Sequence, residues 1–281
     1  MNTWVIAHAT FGDAIRKRVL LVFLLIAFVM LTLALLLNYF TAREQSTIFK
    51  STQLAIILIF GALISITTAV FLIPTEVERK TIYPVLAKPV QRWEFFLGKF
   101  FGGALTLGFM TGLMSLALVI VLFVLAARPP TSAADVQPAA QQALNLKDWF
   151  MRGGAEFMLV LRAVVVIYFH LLIVLSIATT LSLFLAPTVN FAVTAVIWVL
   201  GQFQDIVLNW SQQSPVLHWP VRLLSYAWPH FQDFNIMGSI IHPAAMGDFP
   251  HWPFAAGISL YGIFSAVVLM IGTLVFDRKE V

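Results

Sequence analysis

The chain of 281 residues contains no cysteine. A disulfide framework and a thiolate-held metal site are therefore excluded. Charge is scarce as well. Asp, Glu, Lys and Arg together make up 11% of the residues, against 60% hydrophobic, whereas soluble domains carry an apolar share of roughly 45–50%. The usual marks of catalysis are also missing. There is no H-E-x-x-H sequence, and no two aspartates stand four apart to act as paired metal ligands. Gly98-Lys99 is not the end of a phosphate-binding loop, because Trp93 occupies the position where that motif needs its leading glycine.

Histidine is the remaining candidate for chemistry. His218, His230, His242 and His251 are spaced 12, 12 and 9 residues apart, which matches no compact metal site. No metal is expected. His170 alone lies in the middle of a long apolar run, too few for a haem held by two histidines from the spans. An ionisable group at such a position is a functional candidate by default. His170 and Asp205, with Gln202, Gln204 and Asn209 beside the latter, are thus a candidate path or gate.

What the chain has in abundance is uninterrupted apolar sequence. Val19–Ala42, Ser51–Thr75, Phe100–Ala127, Ala163–Gln204 and Pro253–Phe276 each lack any charged residue. About 20 such residues suffice for a helix to cross a hydrocarbon core of about 30 Å. The run from 163 contains Pro187 and Asn190 in SLFLAPTVNF, so it divides into two spans around a tight turn. Continuous apolar runs exclude alternating barrel strands, and lipid leaves the helix as the alternative. The expected architecture is an all-α integral membrane protein with six spans, at about 19–39, 52–73, 99–125, 157–183, 189–208 and 254–276, forming one transmembrane domain over 1–281.

Arginine and lysine set the expected orientation. With the N-terminus inside, the short segments 16–18, 76–99 and 278–279 hold ten cations, while the much longer outer segments hold six. The positive-inside bias places both termini and the loop 74–98 in the cytoplasm, and 128–156 and 209–253 outside. The net charge of +4 expresses this bias, and no nucleic-acid partner is implied. Arg16–Arg18 precede an apolar run too long for a signal peptide and without a convincing cleavage site, so the first span is expected to be retained. Before it, residues 3–18 put Trp4, Ala7, Phe11 and Ile15 on one helical face and Asp13, Arg16 and Lys17 opposite. This is the pattern of a helix lying in the inner interface. The segment 209–253, rich in proline and tryptophan, is expected to hold an external re-entrant element at about 221–242, before the last span. Gly98, Gly102, Gly108 and Gly112 give two G-x-x-x-G spacings, the mark of a closely packed helix face.

One stretch does not fit an ordinary loop. EVERKTIYPVLAKPVQRWEFFLGKF, Glu76 to Phe100, holds eight of the thirty charged residues. A topogenic loop explains its five cations, but not Glu76, Glu78 and Glu94, nor Pro84 and Pro89. Proline disfavours helix at the preceding residue and suits a first helical turn, so a new helix should start near Pro89 and lead into the third span. Short preorganised pieces carrying both charge signs are suited to a soluble protein surface. A docking loop is expected, formed by Glu76, Glu78, Arg79, Lys80, Tyr83, Lys88, Pro89, Arg92, Trp93 and Glu94.

The sequence E-x-E-R-K-T-I-Y-P-x-L-x-K-P-V-x-R-W-E-F-x-x-G-K resembles the loop between spans two and three of type-2 ATP-binding-cassette (ABC) exporter permeases. The likeness is closest to the multicopper-enzyme-maturation branch, although that family often has glycine where Lys80 stands. A-x-x-T-F-x-D-x-x-R-x-R before the first span and S-Y-x-W-P-H-F-Q-D-F-N at 225–235 agree in layout. The resemblance implies a non-enzymatic permease subunit in a bacterial-type inner membrane that binds no cofactor itself. It would be paired with a second copy or a paralogue, and driven by a separate ATPase that holds ATP and Mg and docks on this loop. Two other readings stay open: a permease-like subunit that transmits force without moving solute, and an intramembrane enzyme.

Overall fold

The computed structural model describes residues 3–37, 45–72, 92–126, 146–203 and 251–278. Among these residues every regular element is helical: α1 (Thr3–Ile15), α2 (Arg18–Leu37), α3 (Gln45–Val70), α4 (Arg92–Ala126), α5 (Leu146–Leu181), α6 (Pro187–Gln202) and α7 (His251–Arg278). Lys50–Val70, Trp93–Leu122 and Val160–Leu181 are each long and apolar enough to cross a membrane. The pair formed by α1 and Arg18–Ala34, bent by 64°, brings the number to as many as four, while Pro187–Gln202 and Gly262–Val275 are apolar but shorter. At 1.5 Å per residue the 16 residues of α6 reach only about 24 Å, whereas the 35 of α4 reach about 52 Å.

The expected split of the long apolar run is present, with a local adjustment. The turn occupies residues 182–186, and Pro187 is the first residue of α6. Ala186 provides an extended N-cap (φ −61°, ψ 150°). Its carbonyl oxygen accepts the Asn190 N–H at 2.9 Å. Proline is suited to this place because a first-turn N–H has no helical partner to lose. Asn190 belongs to the helix and not to the turn. It is fully buried, donates from Nδ2 to the Ala178 carbonyl at 3.0 Å, and accepts from Thr194 at 3.0 Å, which ties α6 back onto α5.

Helix α5 is the hub. Leu171, Ile173, Leu175 and Ala178 are wholly buried, and α3, α4, α6 and α7 all pack on it. Polar links cross each of these contacts. Ser65 of α3 donates to the Leu171 carbonyl at 3.1 Å, Tyr168 donates to Ala104 of α4 at 3.1 Å, and Thr180 donates to Val268 of α7 at 3.4 Å. Several hydroxyls bond to their own helix instead, as Thr68 does on Ile64 (2.7 Å), Thr111 on Leu107 (2.8 Å) and Thr179 on Leu175 (2.6 Å), whereas the buried Thr67 hydroxyl has no partner among the described residues. Within lipid an unpaired polar group has no water to turn to, so back-bonding of this kind is the cheap solution. The faces turned away from α5 are apolar, for example Leu25 on α2, Val196 on α6 and Met270 on α7, all more than half exposed.

Helix α1 corrects an expectation. Its predicted lipid face is divided, because Ala7 is fully buried against α4 while Trp4 is 65% exposed. The buried face is Ile6, Ala7, Thr10 and Ala14. Gly98 and Gly102 make this contact: a Cβ added at Gly98 would lie 2.8 Å from Ile6 Cβ, and one at Gly102 would lie 2.5 Å from Thr10 Cβ. Farther along, Phe11 meets Phe109 edge-on at 5.9 Å. The contacts advance together along both helices, so α1 lies lengthwise beside α4. The second glycine pair behaves differently, with Gly108 against Tyr168 of α5 and Gly112 facing nothing within 4 Å.

Candidate functional site

Two regions contain the described candidate residues. The first is the start of α4. Arg92 is its first residue, and Glu94 stands in its first turn, where a carboxylate meets the positive end of the helix dipole. Trp93 is 43% exposed, while Phe95 and Phe96 behind it are buried. Phe96 reaches across to α7, so that a Cβ at Gly272 would lie 2.8 Å from its ring. The end of α4 is thus seated by two phenylalanines that leave Trp93 facing outward. Lys99, counted among the loop cations from the sequence, is instead buried in the helix, with Nζ 5.5 Å from the centre of the Phe95 ring. Its aliphatic stem gives it the length to lie along apolar surface. Glu76, Glu78, Arg79, Lys80, Tyr83, Lys88 and Pro89 lie outside the described residues.

The second region joins α5 to α6. His170 is 2% exposed. The Trp198 indole N–H donates to its Nε2 at 3.1 Å, and the Gln202 amide nitrogen stands 3.4 Å from the same atom. Indole is a donor only, so Nε2 accepts and the ring is the neutral tautomer with its proton on Nδ1. Trp198 and Gln202 are four residues apart, which brings both to one face of α6. The turn at 182–186 folds that face back against α5. Asp205, the other member of the candidate path, lies outside the described residues. His170 does not join the first region: neighbouring Tyr168 bonds at Ala104, eleven residues or about 16 Å of helix beyond Trp93.

Trp198 was not singled out from the sequence, although its four-residue spacing from Gln202 and the proline turn would have supported it. The seat of α1 on Gly98 and Gly102 was half legible, since the glycines marked a packed face but not its occupant. Among the described residues no group of three or more His, Asp or Glu side chains could hold a metal ion. What the first region offers is an exposed aromatic at the end of a long rigid helix.

The family model of the ABC-2 family transporter protein matches residues 4–281. The chain belongs to the ABC-2 transporter family. It is therefore the membrane component of an ABC transporter, its permease subunit, and a multi-pass membrane protein. Permeases of this family normally work with an ABC ATPase. No curated protein matches the chain. The matched residues of this ABC-2 permease include nearly all of α1 and both helices that flank residues 73–91.

Proposed function

We propose that this ABC-2 permease is the membrane half of an exporter of the multicopper-enzyme-maturation type. It pairs with a second copy or a paralogue and is driven by a separate ATPase that binds ATP and Mg. The chain crosses a bacterial-type cytoplasmic membrane six times with both termini inside. The loop 74–98 receives the ATPase through Glu76, Glu78, Arg79, Lys80, Tyr83, Lys88, Pro89, Arg92, Trp93 and Glu94. His170 and Asp205 belong to the path or gate. This chain performs no hydrolysis itself.

One observation carries the docking claim. Helix α4 is a single piece of 35 residues, about 52 Å long where a crossing needs about 30 Å, so it is long enough to extend past a hydrocarbon core. Its first described side chain, Trp93, is 43% exposed. A rigid helix ending in an exposed tryptophan is the kind of anchor that dominates protein interfaces. Its continuity provides a direct route for a push at the loop to reach the bundle. Closure of the ATPase pair would push the loop, α4 would carry that displacement, and the dimer interface would open outward.

The test is isolation of the tagged permease from native membranes in a mild non-ionic detergent. An ABC ATPase should co-purify in near-equal amount, with magnesium-dependent ATP hydrolysis in the isolate. A pure permease without hydrolytic activity, or hydrolysis that the permease performs alone, would contradict the assignment.

A further inference from the structure

The N-terminal segment, residues 3–17, touches both chain ends from which the loop departs. Phe71, two residues before residues 73–91, lies under Lys17, whose Nζ is 5.6 Å from the ring centre. On the far side of the loop, α4 begins at Arg92 and receives Ile6 and Thr10 at Gly98 and Gly102. The N-terminal segment therefore bridges the two feet of the loop, α1 resting on α4 and the residue after the break resting on Phe71.

The two ends of α1 are held very differently. Against α4 the contact is made by atoms close to the main chain. A Cβ at Gly102 would lie 2.8 Å from the Ala7 carbonyl oxygen, and one at Gly98 would lie 3.1 Å from that of Thr3. At these two positions α4 contributes no side chain to the contact, and Phe11 against Phe109 extends it. Packed surfaces of this kind are displaced as a unit and do not deform gradually. Toward α2 the helix is interrupted. Residues 16 and 17 are not helical, the axes bend by 64°, and the two helices share little packing. The break is bridged by three main-chain bonds, Lys17 N–H to Ala14 at 3.0 Å and the N–H groups of Leu20 and Leu21 to Lys17 at 3.1 and 3.5 Å. A few residues at the ends of elements are where large dihedral changes are absorbed. The outer face of α1, with Trp4 and Val5, is more than half exposed and does not restrain it.

We infer that α1 and α4 move as one body, with the break at Arg16–Lys17 as the hinge through which that movement reaches α2. This rests on the proposed docking of an ATPase at the loop. It assigns Ile6, Thr10, Gly98 and Gly102 as positioning residues for the coupling of nucleotide binding to the spans. Displacement of the loop swings α1 together with α4, and α2 is levered against α3 by the hinge.

The absence of cysteine allows spin-label pairs to be placed without background. Ala9→Cys with Leu116→Cys reports α1 against α4, and Ala9→Cys with Leu33→Cys reports α1 against α2; all three positions are exposed. Each pair is measured by pulsed dipolar spectroscopy on the full permease with its co-purified ATPase in lipid nanodiscs, nucleotide-free and with ATP plus orthovanadate. The Ala9–Leu116 distribution should be the same in both states, while the maximum of the Ala9–Leu33 distribution should shift. A shift in the first pair, or no shift in the second, overturns the inference and leaves the docking reading intact. Loss of the ATPase from the wild-type isolate overturns both. In Gly102→Val the ATPase should still co-purify, while the Ala9–Leu33 shift is lost. Retention of the full shift in that variant would contradict the role given to the seat.

Discussion

The indole nitrogen of Trp198 lies 3.1 Å from Nε2 of His170, so a tryptophan of α6 and a histidine of α5 hold their hairpin closed from inside the apolar bundle. The bond has a definite polarity, because indole donates and imidazole accepts. It also accounts for a titratable residue at 2% exposure in a helix of this apolarity.

The strength of that bond is measurable. Trp198→Phe, His170→Leu and the double variant form a cycle, and interhelical bonds in membrane proteins average about 0.6 kcal/mol in such cycles. The coupling from unfolding in mixed micelles should be of that size. Additive effects would mean that the two side chains do not act through this contact.

The glycines of α4 should separate into two classes. At Gly102 an added methyl meets Thr10 Cβ at 2.5 Å and the Ala7 carbonyl at 2.8 Å, and the carbonyl belongs to a helix backbone that cannot rotate away. Overpacking of this kind costs about 1–3 kcal/mol, so Gly102→Ala should lower the thermal midpoint in detergent. At Gly112 nothing lies within 4 Å, so alanine there should be neutral or should stabilise by up to about 1 kcal/mol through reduced chain entropy. Equal effects at the two sites would show that α1 is not seated on Gly102.

How far the sequence revealed this arrangement depends on the length scale of each signal. Long apolar runs and the Pro187 break were legible, because membrane insertion and proline geometry act locally. The occupant of the Gly98–Gly102 face was not legible. A glycine pair permits close approach without naming the partner, and α1 looked like an interfacial helix because Trp4, Phe11 and Ile15 do share a face. Asn190 read as part of a turn, yet its amide is the link between α5 and α6. Asparagine suits a turn and a buried cap equally well, and only tertiary contact distinguishes them. His170 stood out as an isolated ionisable group, while Trp198 resembled any interfacial aromatic. The ABC-2 family fits the apolar sequence pattern and the helical bundle alike, while the stretch that carried the resemblance lies outside the described residues up to residue 91 and within α4 from Arg92 to Lys99.

Orientation can be checked by labelling. Single cysteines at Ser132 and Gln212 should react with an impermeant maleimide in intact cells, and one at Gln91 should react only after the membrane is opened. Reaction at Gln91 from outside would reverse the topology and leave no cytoplasmic face on which an ATPase could dock.

The docking loop is the centre of the account, and one variant addresses it directly. Glu78 and Arg79 are exchanged in sign (Glu78→Lys, Arg79→Glu) and Trp93, 43% exposed at the start of α4, is replaced by alanine. Membrane insertion should be unaffected, because acidic residues contribute little to orientation. Charges at an interface rim are worth about 1 kcal/mol or less, so Trp93→Ala alone should account for most of the loss. Affinity of the purified permease for its ATPase is the measurement, titrated in nanodiscs with the hydrolysis rate followed in parallel. The account predicts at least about a tenfold weaker association, corresponding to about 1.4 kcal/mol, and loss of permease-dependent hydrolysis. Unchanged affinity and unchanged hydrolysis in the triple variant would reduce the loop to a topogenic signal and contradict the account.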